Sequence, residues 1–194
     1  KYKNNENAAM SLKCVKVDKN WKWFVEKGKI ALRINDGYKF YSAYRESQID
    51  PALAKPFEFS ADDSMYFYHF RECLSDHPYD FLEHHQVALN ALTAEHFIHT
   101  AEDLSSVLVK RNDSGNRFKS GSIVRGSLTG AYSGTVEFIV LRAETDGKLA
   151  CMVIGGNTAG LSFCPKFAVY FADQDRLYSA AVGSEFMDIL ANDR

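Results

Sequence analysis

The chain has no C-x-x-C pair, no apolar run near bilayer length, no basic excess and only four prolines in 194 residues. Each absence removes a class of function. The four cysteines, Cys14, Cys73, Cys151 and Cys164, are scattered. Such spacing suits buried free thiols in a reducing compartment better than a disulfide frame or a zinc site. Without roughly 20 consecutive apolar residues no helix spans a membrane, and the polar start, Lys1 to Asn7, does not read as a secretory signal. A net charge of −2 argues against a dedicated nucleic-acid binder. What remains, 46% hydrophobic and 25% charged, is the composition of an ordinary globular protein able to bury a core. The expectation is a cytoplasmic protein.

Residues 1–9 carry little apolar content and precede Met10, so they read as a disordered or vector-derived leader. Beyond them, Trp21–Val25, Lys29–Ile34 and Tyr38–Tyr44 are short, rich in aromatic and β-branched residues, and separated by Glu26-Lys27-Gly28 and Asn35-Asp36-Gly37. Alternating Ile30, Leu32 and Ile34 with turns that place glycine at positive φ predict an antiparallel meander. Ser60-Ala61-Asp62-Asp63 has capping-box spacing and predicts a helix carrying Met65, Phe67 and Phe70. A second helix, capped by Asp80, carries Leu82, Val87, Leu89, Ala91 and Leu92 on a broad apolar face that calls for burial against the meander. After the polar stretch 110–122, strands are expected at Ile123–Leu128, Val136–Leu141, Leu149–Ile154, Leu161–Phe163 and Phe167–Phe171, with glycines between them. Ser184 caps a short last helix. The fold class is thus α+β. Residues 10–104 form an N-terminal α/β domain, a meander covered by two helices. Residues 105–194 form a β-rich, barrel-like C-terminal domain with a terminal helix.

Charge is unevenly distributed. Lys13 to Arg45 holds nine basic residues against three acids, a local +6, while Glu46 to Asp103 holds two against twelve, a local −10. The segments read either as two solvated faces or as a basic patch that steers an acidic partner.

The search for chemistry is negative. His84 and His85 diverge by about 100° on a helix, and neither Glu95/His99 nor His96/His99 gains the further ligands that a zinc site requires. Gly121-x-x-x-x-Gly126-Ser127 lacks the phosphate-binding lysine. Gly155 to Gly160 follows a strand, with another strand expected at once and no helix for a nucleotide loop. Cys73 and His77 have no third group to make them a nucleophile–base pair, and Asp62-Asp63 reads as a cap serving the helix dipole. No catalytic residue, metal ligand or cofactor is assigned. Trp21, Lys22 and Trp23 superficially suit base stacking, although a shared strand face is more often buried.

Four blocks, Asn20–Phe24, Asp36-Gly37, Asp62–Phe67 and Leu89–Leu92, stand in an order and spacing that resemble the Z-ring-associated protein C (ZapC) family of bacterial cell division. The resemblance covers Met10 to Phe97, returns weakly over Val182–Arg194 and is poor over Ser105–Ala172. It implies a non-enzymatic protein that binds the tubulin-like FtsZ, bundles its filaments, stabilises the Z ring at mid-cell and lowers FtsZ GTPase activity. It also implies an α/β and a β-rich domain, each with a pocket, acting as a monomer or by weak self-association. Carried over by position, the N-terminal binding surface involves Leu32, Met65, Phe67 and Leu89. We expect these to line an apolar cleft rimmed by Lys22, Arg33 and Lys39. Relatives carry Arg or Lys where this chain has His96 and His99. The competing readings are a single-stranded nucleic-acid module, or a small-molecule binder using the glycine-rich C-terminal turns.

Overall fold

The computed structural model describes residues 21–34, 37–75, 77, 81–111, 117–130 and 134–180. Among these, two sheets and three α-helices form an α+β arrangement, and the chain divides into two compact units between Thr100 and Ala101.

In the first unit, β1 (Lys22–Glu26), β2 (Lys29–Ile34) and β3 (Tyr38–Arg45) pair antiparallel in sequential order. The β1–β2 hairpin turns on Lys27 and Gly28, with φ of 51° and 75°. Two successive left-handed residues give a turn whose twist matches that of the flanking strands, which is why glycine stands there. Glu26 then pairs with Lys29 and Trp23 with Leu32. One face of the sheet buries Trp21, Trp23, Ile30, Leu32, Ile34 and Tyr44. Where the β2–β3 register shifts, the Ser42 hydroxyl donates to Ile30 O at 2.7 Å and accepts from Tyr44 N at 3.2 Å, patching the ladder.

Helix α1 (Ala61–Cys73) starts as its capping spacing predicts. The Ser60 hydroxyl accepts from Asp63 N, and the Asp63 carboxylate accepts from Ser60 N at 2.9 Å. Asp63, Phe67, Phe70 and Leu74 recur on its inner side, all buried. In α2 (Phe81–Phe97) every residue from Val87 to Ala94 is buried, in keeping with the broad apolar face of the sequence. The expected cap, Asp80, lies outside the described residues, as does the helix expected from Ser184.

The second unit is one six-stranded sheet in the order β4-β8-β7-β6-β5-β9. Its strands are β4 (Glu102–Asp103), β5 (Ile123–Ser127), β6 (Thr135–Ala143), β7 (Lys148–Gly156), β8 (Val169–Asp173) and β9 (Tyr178–Ser179). Only β4 and β8 are parallel. The barrel-like expectation is corrected: β4 and β9 lie at opposite edges, each two residues long, and the described sheet stays open. A two-residue edge strand offers too few ladder groups to close a barrel.

A second correction concerns Leu161–Phe163, which is not a strand but the end of helix α3 (Thr158–Phe163). The Asn157 side chain caps it, accepting from Gly160 N at 2.8 Å and from Thr135 N at 3.1 Å. Gly160 packs so closely on β6 that an added Cβ would lie 2.0 Å from Thr135 O. The glycine-rich turn therefore docks a short helix onto a strand instead of linking two strands. Below the sheet, Leu104, Leu108, Val124, Phe138, Val140 and Cys151 belong to a buried cluster. No disulfide joins the described cysteines. Cys151 and Cys164 are buried, with burial pushing both thiols up, and Cys73 is half-buried.

Candidate interaction surface

Strand alternation decides where the expected site residues go. Leu32 and Phe67 have no exposed surface and Leu89 has 1%, so all three are core of the first unit. Met65 is 58% exposed. Two residues before Phe67 on a helix, it points to nearly the opposite side. Lys22, Arg33 and Lys39 are exposed and lie abreast, because Lys22 pairs with Arg33 and Arg33 with Lys39 in the register of the three strands. Arg33 follows Leu32, so the cations occupy the face opposite to it. The structure brings the three cations together but does not bring them to the rim of a cleft lined by Leu32, Met65, Phe67 and Leu89. Those four apolar residues form no joint cleft, since three are core and the fourth points outward.

On the outer face the cations surround residues that the sequence reading passed over. Phe24 carries the Arg33 guanidinium 5.5 Å and the Lys39 ammonium 5.7 Å from its ring centroid. Lys39 also donates to Glu26 at 3.2 Å, and the Tyr41 hydroxyl donates to the other oxygen of the same carboxylate. That hydroxyl and the Lys39 ammonium hold the Glu26 carboxyl below its ordinary range, while the carboxylate pushes the Tyr41 phenol up. Ala31, opposite both Phe24 and Tyr41, is fully buried although it lies on this face, so the two rings close over it. The available signal was phase: Phe24 and Glu26 alternate with the buried Trp21 and Trp23.

Behind the sheet, Asp63 makes two contacts beyond its role as cap: it accepts from Trp23 Nε1 at 3.3 Å and lies 2.7 Å from His96 Nδ1. The other ring nitrogen of His96 faces Pro56 O at 2.7 Å. Both ring nitrogens of His96 thus face oxygen atoms of the first unit. His99 lies 3.6 Å from the Asp50 carboxylate and 2.8 Å from Glu95 O. Both histidines are thus engaged within the unit.

The base-stacking reading loses its rings, since Trp21 is 2% and Trp23 is 3% exposed. In the second unit a groove of about 450 Å³ is lined by Val107, Leu128, Thr129, Ala159, Ser162 and Phe163. Among the described residues no three His, Cys, Asp or Glu side chains converge as metal ligands, and no helix is long and apolar enough to cross a membrane.

Residues 14–99 match the family model described as cell-division protein ZapC, N-terminal. The Cell division protein ZapC of Tolumonas auensis is 33% identical over 79 residues. That alignment covers 40% of this chain and 44% of the relative, so the chain matches less than half of the relative's length. The match falls on the meander, which builds the outer cationic face, and on its two helices. Over residues 14–99, this chain is thus similar to the N-terminal part of the ZapC family.

Proposed function

We propose that this chain is a cell-division protein of the Z ring that acts by binding FtsZ filaments and bundling them side by side, with slower GTP turnover as the consequence. It works by contact and not by catalysis, at mid-cell on the cytoplasmic side. The reading is carried by the family match, which spans nearly the whole first unit, from residue 14 to residue 99. A relative named for cell division supports it, as does a surface field with basic and acidic segments separated along the chain. The second-unit groove leaves small-molecule binding there as a second reading.

Co-sedimentation with polymerising FtsZ, followed by imaging of the pellet, tests the first reading. The expected outcome is this chain in the pellet, thicker bundles and a lower GTPase rate. Supernatant recovery with unchanged filaments would sink it.

A further inference from the structure

The outer face of the first unit's sheet sets like charges side by side at a cost. Lys22, Arg33 and Lys39 are direct cross-strand partners, so three cations lie within two strand spacings, about 10 Å. Like charges directly opposite on adjacent strands destabilise a sheet. Edge protection accounts for a lysine on β1 or β3 but not for Arg33 on the central strand. Lys29 and Arg45, also paired and exposed, extend the same field along the strands. Within it, the ring of Phe24 provides an apolar seat, with Arg33 and Lys39 drawn over it. Glu26 and Tyr41 hold Lys39 in place, which lowers the entropy lost when that side chain is ordered by a partner. A local rule broken without gain to the fold marks a surface kept for something else.

We propose that this face docks an acidic, extended segment of a protein partner. Carboxylates pair with the Lys22–Arg33–Lys39 row, and an apolar or aromatic side chain between them rests on Phe24. The inference rests on the reading above that the chain works by binding a protein filament, and it names the chemistry of the contact. Charge complementarity selects this occupant. A nucleic acid is a poorer fit because it extends its charge well beyond a three-cation row, and the adjoining segment from Glu46 to Asp103 carries a local −10. The buried tryptophans leave no large indole surface for bases.

The test uses the full chain and a fluorescein-labelled peptide of alternating glutamate and threonine, read by fluorescence anisotropy at low and high salt. A lysine-for-glutamate copy and an oligo-deoxythymidine of equal charge are the controls. Arg33→Glu with Lys39→Glu supplies the charge-reversed protein, and far-UV circular dichroism checks its fold. We expect the acidic peptide to bind wild type, to weaken as salt rises, and to lose about tenfold or more in affinity on reversal. The basic copy should bind only the reversed protein. Equal or tighter binding of the oligonucleotide, or acidic-peptide binding indifferent to reversal, overturns the proposal. FtsZ co-sedimentation separates the two readings. A reversed protein that pellets like wild type excludes this face as the contact but keeps the filament-binding function. If wild type itself fails to pellet while the peptide still binds, the function falls and the acidic-segment site stands.

Discussion

Leu32 is buried between β1 and β3, opposite Trp23 on one side and Phe40 on the other. Replacing it with Glu puts a carboxylate where no water reaches, and a buried unpaired charge is among the few single changes that unfold a small domain. We expect Leu32→Glu to cost about 4 kcal/mol or more, visible as loss of the cooperative urea transition followed by tryptophan fluorescence. Arg33→Glu, one residue on and facing solvent, should stay within about 0.5 kcal/mol of wild type. A wild-type midpoint for Leu32→Glu would mean that the side chain has an open path out of the core. The period-2 pattern of β2 made the inward phase of Leu32 legible, yet alternation names a face and says nothing of what covers it. That is why a cleft and a core looked alike. Asp63 was legible only as a cap, because its bonds to Trp23 and His96 join residues 40 and 33 positions apart.

At the scale of elements, the meander and both helices could be read from turn chemistry and capping, since these signals are local. How α2 meets the sheet could not. Asn90, in the Leu-Asn-Ala-Leu block, is 1% exposed, a polar side chain among the buried positions of α2 together with Thr93. Its amide oxygen accepts the Ala43 N–H at 3.0 Å, and Gln86 donates to Tyr41 O and to Asn90 itself. Two side chains of α2 thus satisfy ladder groups that β3 presents at the sheet edge. Asn90→Leu keeps a similar volume but removes the acceptor of the part-buried Ala43 bond, at about 0.5–1.5 kcal/mol. The expected result is a lower thermal midpoint and a stronger tendency to aggregate through the uncovered edge, seen by light scattering. Unchanged stability would show that water replaces the amide. The same non-local logic explains α3: Leu161-Ser162-Phe163 has strand composition, but Gly160 pressed onto Thr135 O and the Asn157 cap commit it to a helical turn.

Across the whole molecule the two units differ in what they report and in how they respond to acid. Both tryptophans stand in the first unit, so fluorescence reads that unit alone, whereas far-UV circular dichroism reads both. The acid response of the second unit centres on Asp103. Burial by itself would raise this carboxyl, but the Lys148 ammonium and the Ser105 hydroxyl and amide outweigh it and hold the group at about 2, against an ordinary 3.8. A folded value below the unfolded one adds stability that is complete above 3.8 and is lost as pH falls towards about 2. Lys148, raised chiefly by the Asp103 carboxylate, is the other half of the pair and also lies 3.5 Å from Asp173. Asp103→Asn should therefore lower the stability of the second unit at neutral pH by an amount that shrinks as pH falls through this window. The circular-dichroism transition carries the difference, while the tryptophan transition of the first unit stays where it was. Equal shifts in both probes would mean that the units unfold as one cooperative body, and the assignment of this acid response to the second unit would then fail.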